Sequence, residues 1–485
     1  MSEPLRSHPG PPDAAVPPRV PYKPLWAVLL LGWLVSYADR TVTGPVIAWM
    51  IQNKAGFIGD SANPATLGGL IGSLFFVGYM LTQYPGGKLG DRFGHREMIV
   101  VSLLWAGVMT IVSGLVAGLI AFVAARVLTG LGEGVFYSND RTLVMAHTPV
   151  QKRTLGLGVV ITGLSIGLTV GIVATPLLID WGRSLGMGEE AWRVPFYVLG
   201  AVTLVVAALA AWFFRNRLGG PLRLRAPFLR LIAYSAPTFA AVLTLFWVAD
   251  RLGWPEWATA GVALLLAGVY IAVIVRNEIR AGRASTLLSR DALLMYIGFI
   301  AVLWNLWFFS FWSVLIVRET AQSSLTAAAL TAAFNAVAGI IGFPAGGWLA
   351  DRRVRRGKGR KPLLIGLTLG YAVLVVLFGL SVMRGEQPSL LVLGLLLFSS
   401  GVLFNALQPV QHGMTGDLVP PDQRGSMFGL FNLIAEVGAV ASPVVSGLLR
   451  DATGSWAPGV FVAAALMFAS AVLYALVREK MPAPA

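Results

Sequence analysis

The sequence predicts an all-α polytopic membrane protein with fourteen transmembrane helices, arranged as two six-helix bundles plus an inserted pair of central helices. Three observations support this fold class: an apolar composition, a series of long apolar segments, and a loop motif that occurs twice. Of the 485 residues, 56% are hydrophobic and 12% are charged, and the mean hydropathy is +0.73. A soluble domain carries about a quarter charged residues, so this composition is typical of membrane proteins.

The apolar residues are grouped into segments long enough to cross a bilayer. A transmembrane helix needs roughly 20 mainly apolar residues. The segments that meet this requirement are, in chain order, 25–51, 65–85, 98–116, 118–146, 155–179, 194–214, 230–249, 257–275, 292–317, 325–348, 362–383, 389–412, 425–449 and 457–477.

The distribution of Lys and Arg predicts the orientation. With the N-terminus inside, the cytoplasmic segments hold most of the 37 Lys and Arg residues, and three others, Arg40, Arg126 and Arg141, lie within spans. The positive-inside rule therefore places both termini in the cytoplasm, as expected for a bacterial inner-membrane protein. This distribution also accounts for the net charge of +14 and the pI near 10.3. A nucleic-acid partner is not needed to explain them.

The rest of the composition limits the chemistry. The chain has no cysteine and four histidines, so disulfides, thiolate chemistry and a histidine metal cluster are not expected. Residues 1–23 are Pro-rich and polar without an apolar core, which predicts a disordered cytoplasmic tail rather than a signal peptide. The predicted domains that follow are a six-helix bundle at 24–217, a linker with two extra helices at 218–290, a second bundle at 291–478 and a tail at 479–485.

A loop motif follows the second predicted span and recurs after the tenth. The first copy runs from Gly87 to Arg96, and the second begins at Gly347 and ends in a basic run at Lys361. The copies lie farther apart than six spans require, so the surplus segments 230–249 and 257–275 are interpreted as an insertion between parallel halves. Equivalent positions in the two copies are Gly87 and Gly347, Asp91 and Asp351, and Arg92 and Arg352.

The repeated pattern G-x-x-x-D-R-x-G-x-R resembles the signature of the major facilitator superfamily. A narrower resemblance is to the anion:cation symporters, which carry sugar acids, aromatic acids and other organic anions. The stretches that carry it are Tyr37-Ala-Asp39-Arg40, Gly78-Tyr79 onward to Gly87, Arg126 to Gly134, and Gly429-Leu-Phe-Asn432 onward to Trp456. The resemblance implies the major facilitator fold, transport by alternating access, and loops around Asp91 and Asp351 that latch the halves on the cytoplasmic side.

Two positions depart from the family pattern. Trp312-Ser-Val314 stands where members often have Trp-x-Pro, and Glu436 stands where relatives often have a second Asn. The inserted helix pair is also atypical. Spinster-type lipid carriers share an Asp-Arg in span 1 and a Gly-x-Gly-Glu in span 4, so they remain an alternative.

Charged residues inside spans are the first candidates for function, since each costs roughly 3 kcal/mol or more at mid-bilayer. Adjacent residues on a helix point about 100° apart. We therefore expect Arg40 to face the substrate path while Asp39 turns towards a neighbouring helix. The resemblance implies that Arg40 binds a substrate carboxylate and that Asp39 is a protonation site. Tyr37, Tyr79 and Arg126 are further candidates for the substrate-binding site. The alternative is a fixed ion pair within span 1.

Glu133 is a second candidate for proton coupling, because it shares one face of span 4 with Arg126. The alternative is a salt bridge between spans 1 and 4 that only packs helices. In the coupling hypothesis, protonation of Asp39 or Glu133 frees Arg40, which then attracts an anion. Glu436 is interpreted as a second proton site, a partner for a cation or a structural carboxyl.

In the second half, aromatic and amide side chains are candidates for recognising hydroxyl groups of a substrate. Asn305, Phe308 and Trp312 recur at helical spacing and are expected to line one wall of a cavity. Amides buried in spans should face protein or water rather than lipid. The other candidates of this kind are Asn405, Gln408 and Asn432.

The function predicted from these features is proton-coupled uptake of a small organic anion, with no cofactor and no metal, by a monomer surrounded by lipid. Sodium coupling remains open. The main rival is a drug or metabolite:proton antiporter, although span 5 lacks the Gly-Pro pair usual in such proteins. The sequence contains no H-E-x-x-H and no phosphate-binding loop that would indicate an enzyme.

Overall fold

The computed structural model describes residues 22–57, 64–254, 256–323, 325–383 and 388–480, and within these residues it contains helices and no strand. The predicted tails 1–23 and 479–485 lie almost entirely outside the described residues. The long helices of the described part are α1 Tyr22–Asn53, α2 Pro64–Phe93, α3 His95–Leu115, α4 Leu119–His147, α5 Arg153–Ser184, α6 Val194–Arg217, α7 Arg225–Leu252, α8 Glu256–Arg280, α9 Arg290–Ala321, α10 Leu325–Arg355, α11 Lys361–Met383, α12 Leu390–Gly416, α13 Arg424–Thr453 and α14 Ala457–Leu476.

Twelve of these helices are long and apolar enough to cross a membrane, judged on the described residues. The helices α2 and α8 are not among the twelve. The all-helical membrane fold predicted from the sequence is confirmed, whereas the count of fourteen transmembrane helices is not.

Local sequence signals set several helix ends. The side chains of Ser289 and Ser389 accept hydrogen bonds from the backbone N–H groups of Ala292 and Val392, so each caps the first turn of its helix, α9 or α12. Gly454 ends α13 with φ at 70°, a left-handed conformation that glycine adopts without strain.

The helices of the second half repeat the packing of the first. α1 packs on α5 as α9 packs on α13, and α2 packs on α4 as α10 packs on α12. Likewise α3 packs on α6 as α11 packs on α14. The halves meet along two seams, one between α2 and α13 and the other between α5 and α10. Two equivalent bundles related in this way are the arrangement of parallel-repeat transporters.

The inserted pair, α7 and α8, lies over one of these seams. α7 packs on α2 and α3, while α8 packs on α13 and α2. The Tyr270 hydroxyl donates a hydrogen bond to the Leu81 carbonyl at 2.7 Å, and Lys88 pairs with the buried Glu278 at 3.1 Å. The insertion therefore covers the α2–α13 seam.

Candidate functional site

Arg40 on α1 is paired with Glu133 on α4. Its Nε donates to the Glu133 carboxylate at 2.7 Å, and both side chains are almost fully buried. Ser36, one turn earlier on α1, donates to the same carboxylate oxygen at 2.7 Å. The Arg40 guanidinium also lies over the rings of Tyr37 and Tyr79, at 4.4 and 4.1 Å from their centroids. The acid that occupies Arg40 in this conformation is thus Glu133.

Asp39 forms a separate buried pair with Arg126 on α4. Both terminal nitrogens of Arg126 contact its carboxylate, at 3.2 to 3.3 Å. Thr110 on α3 donates to the same carboxylate at 2.8 Å. Asp39 and Arg40 point to different neighbours because adjacent helical residues are rotated by about 100°. Two ion pairs therefore join α1 to α4.

Removing one member of the Asp39–Arg126 pair is expected to destabilise the protein. In Arg126→Met the Asp39 carboxylate would stay buried without its cation, which typically costs about 3 to 5 kcal/mol. The measurement is the apparent Tm of the purified protein in detergent. The double variant Asp39→Asn/Arg126→Gln removes both charges and should recover most of the loss. A single variant as stable as the parent protein would contradict a structural role for this pair.

A cavity of about 20 Å³ lies between the two halves beside Arg40. It is about the size of one water molecule, so the halves are closed around it. The side chains of the first half that line it are Trp33, Tyr37, Arg40, Tyr79, Tyr137, Arg141, Ile161 and Leu164. Those of the second half are Phe299, Leu303, Leu306, Trp307, Gln408, His412, Asn432 and Glu436. We call this space the central cavity.

Several polar atoms around the central cavity are buried without a hydrogen-bonding partner among the described residues. They are Nε of Arg141, Nε2 of Gln408 and Oε2 of Glu436. Buried polar groups in folded proteins are nearly always paired, and an exception calls for an explanation. A polar ligand in the cavity would supply partners for these groups.

Among the lining residues of the central cavity that were not predicted from the sequence, three are titratable: Tyr137, Arg141 and His412. Tyr137 and His412 bridge the two halves, with the Tyr137 hydroxyl 2.7 Å from Nε2 of His412. Arg141 is buried and lies over the Tyr137 ring at 3.7 Å. For Arg141 the signal was available, since it is the third arginine within a predicted span.

Other predicted binding residues lie away from the central cavity. Asn305 donates to the carbonyls of Ala301 and Ala463 and accepts from Tyr371, so its amide is satisfied within the second half. Phe308 is fully buried, and Trp312 packs on Trp456. The binding role predicted for this face of α9 stays a prediction.

A second cavity, of about 420 Å³, lies along the α5–α10 seam. Its walls come from α5, α9, α10, α11 and α12 and are mainly apolar, with Asn305, Asn335 and Asn405 among the polar exceptions. The predicted candidate Asn405 therefore lines this second space, whereas Gln408 and Asn432 line the central cavity.

The two motif aspartates cap helices across the seams. Asp91 at the end of α2 accepts hydrogen bonds from the backbone N–H groups of Gly425 and Ser426, at 2.9 and 2.7 Å, at the start of α13. A carboxylate is favoured at a helix N-terminus because of the helix dipole. This contact joins α2 of the first half to α13 of the second half.

Asp351 at the end of α10 makes the equivalent contact with α5. It accepts from the backbone N–H groups of Thr154 and Leu155, at 3.2 and 2.7 Å. The motif glycines allow these close approaches: a Cβ at Gly87 would lie 2.0 Å from the Gly425 carbonyl oxygen, and one at Gly347 would lie 2.4 Å from that of Thr154. Both seams are thus closed at the end of the molecule predicted to be cytoplasmic.

The motif arginines take other partners. Arg92 lies beside the ring of Phe93 and Arg352 beside that of Trp348. Arg96 pairs with Glu97 at 3.0 Å and donates to the carbonyl of Leu218, which ties the first loop to the end of α6. In the second copy, Arg355 and Arg360 also cross the seam, donating to the Gln151 carbonyl at 3.0 Å and the Thr154 hydroxyl at 3.5 Å.

Two equivalent bundles, a charged cavity between them and two capped seams at one end define a membrane transporter with parallel repeats. The chain belongs to the Major Facilitator Superfamily, whose match covers residues 29–358 and 295–485. It is accordingly a transporter rather than an enzyme, and the family predicted from the sequence is confirmed.

Known transporters align with nearly the whole chain. A probable sulfoacetate transporter, SauU, of Cupriavidus necator is 26% identical, with 91% of this chain and 90% of that protein covered. The hexuronate transporter of Bacillus subtilis is 24% identical, with 95% and 96% covered. Among solved structures, the fucose:proton symporter FucP of Escherichia coli superposes with a TM-score of 0.60 at 15% identity, covering 95% of this chain and all of that one. The likeness to FucP supports the fold alone.

Proposed function

We propose that the protein is a proton-coupled symporter that takes up a small organic anion by alternating access. The observation that carries the proposal is the position of Arg40, which lines the central cavity while a buried carboxylate, Glu133, neutralises it. A guanidinium is permanently charged and its planar fork matches a carboxylate. The relatives named as a probable sulfoacetate transporter and a hexuronate transporter support an organic acid as the cargo.

Glu133 couples the proton to the anion in this mechanism. While ionised, Glu133 and Ser36 occupy the Nε and Nη2 groups of Arg40. Protonation of Glu133 removes the negative charge that competes for these groups, and the substrate carboxylate then takes its place. Proton and anion bind together. The proton neutralises Glu133 and the substrate carboxylate neutralises Arg40, so no uncompensated charge remains in the closed cavity.

The capped seams supply the conformational step. We place the Asp91 and Asp351 contacts on the cytoplasmic side of the inner membrane, with both termini in the cytoplasm, as the Lys and Arg distribution predicts. Loading of the central cavity from the periplasm then precedes release of both caps, and the cavity opens inwards. A monomer contains every part of this cycle.

The Glu133→Gln variant tests the coupling. In proteoliposomes with an alkaline interior, the parent protein should accumulate a radiolabelled organic acid, whereas the variant should lose gradient-driven accumulation and keep anion exchange. The glutamine keeps the shape of the side chain but cannot release a proton. Glu319→Gln is the matched control. Glu319 is partly exposed, pairs with Arg450 and lies outside the lining of the central cavity.

The outcomes of this experiment separate the rival functions. Unchanged uphill accumulation in Glu133→Gln would overturn the coupling role. Accumulation driven by a sodium gradient without a pH gradient would replace the proton with sodium. Expulsion of a cationic drug or transfer of a labelled lipid, without organic-acid uptake, would favour the antiporter or the spinster-like carrier.

A further inference from the structure

Arg141 on α4 is a second guanidinium in the central cavity, and the function proposed above gives it no task. Its Nη1 donates to the adjacent Asp140 at 2.7 Å and to the carbonyl of Tyr137 at 3.3 Å. The other Asp140 oxygen accepts from Nε1 of Trp33 at 2.6 Å. Asp140 and the Tyr137 ring thus hold the guanidinium in one orientation.

The remaining edge of Arg141 is free. Its Nε is buried without a partner, and Nη2 makes no hydrogen bond within the described part of the chain. The Nε–Nη2 edge is the pair of donors that binds a carboxylate or sulfonate with two parallel hydrogen bonds. In Arg40 the same edge is taken by Glu133 and Ser36. Arg141 therefore offers a complete anion-binding fork even while Arg40 is occupied.

Both arginines lie close to the ring of Trp33. The guanidinium carbons of Arg40 and Arg141 are 5.9 and 4.9 Å from the Trp33 ring, so they are no more than about 11 Å apart. A third donor, Nε2 of Gln408, is also buried without a partner on the opposite wall. Glu436, the acid of that wall, accepts a hydrogen bond from Asn432 through Oε1 alone. Arg141 is the second arginine of the lining and thus the cation for a second substrate head.

From this geometry we infer that Arg141 is a second anion-binding residue and that the substrate is a small anion with two acidic heads, such as a short dicarboxylate or a carboxylate joined to a sulfonate. One head replaces Glu133 at Arg40, and the other binds the free edge of Arg141. The inference rests on the proposed function in taking the central cavity as the substrate site.

The test compares probes that differ in one charge. Binding of malonate and succinate to the purified full-length protein is measured by calorimetry, alongside binding of their monomethyl esters. The parent protein should bind each diacid roughly ten- to a hundredfold more tightly than its ester, since a hydrogen bond to a charged group is lost with the second head. Arg141→Met should remove this preference and leave ester binding little changed.

Arg183→Met is the matched control, because Arg183 is exposed, donates to Asn53 and lies outside the lining of the central cavity. It makes the same change of side chain without altering the central cavity, so the diacid preference should survive. Equal binding of diacid and ester to the parent protein would overturn the inference, and so would equal loss of preference in both variants. If neither probe binds while another organic acid is accumulated in the Glu133 assay, the inference of a substrate with two acidic heads is wrong. The symport proposal is then retained.

Discussion

Replacing Arg40 with alanine is expected to abolish binding of every organic anion that the parent protein binds. Loss of a buried, hydrogen-bonded charge partner costs about 2 to 5 kcal/mol, which corresponds to a loss of affinity of roughly 30-fold or more. The effect should be this large because Arg40 lies over two tyrosine rings and lines the central cavity, where Glu133 is its ion-pair partner. A thermal-shift screen of organic acids, followed by calorimetry on the hits, measures it.

Two further variants separate anion binding from simple loss of an ion pair. Arg40→Lys keeps the charge without the planar fork, so it should recover only part of the affinity. Arg40→Ala/Glu133→Gln leaves no unpaired carboxylate behind and should regain stability without regaining binding. If the double variant binds anions as the parent protein does, Arg40 is not the anion site.

The variants Gly87→Ala and Gly347→Ala are each expected to shift the protein towards the conformation that is open on the predicted cytoplasmic side. A methyl group at either position would overlap a backbone carbonyl of the opposite half. Overpacking typically costs about 1 to 3 kcal/mol, and here the cost falls on the closed state alone. The population open on that side should rise about fivefold or more.

Thiol labelling can measure this shift directly, because the chain has no cysteine of its own. Met145 is fully buried, and its sulfur faces Gly416, where α4 meets α12 across the halves. In a Met145→Cys background, each glycine variant should raise the labelling rate. Gly366→Ala is the control, since a Cβ there meets no atom within 4 Å. An equal rise in the control, or none in the glycine variants, would contradict a latch role for the motif.

The helical spacing in the sequence predicted correctly which residues of one helix share a face, but it left their partners open. Arg126 and Glu133 share a face of α4, and each meets a different residue of α1, at Asp39 and Arg40 respectively. The sequence hypothesis allowed either acid to occupy Arg40. The position of α1 relative to α4 brings Glu133, and not Asp39, to Arg40. Side-chain packing between the two helices decides that position.

The sequence by itself determined the membrane class, the family, the two halves and the aspartates that meet helix ends across the seams. These features follow from composition, from the length of apolar runs and from a motif repeated at a measurable spacing. The tertiary structure alone decided that Gln408 and Asn432 share a cavity with Arg40 and Arg141, while Asn305 and Asn405 line a separate space. The physical reason is that a cavity is formed by residues from many helices, and their distances across the bundle are set by packing that no single-helix periodicity encodes.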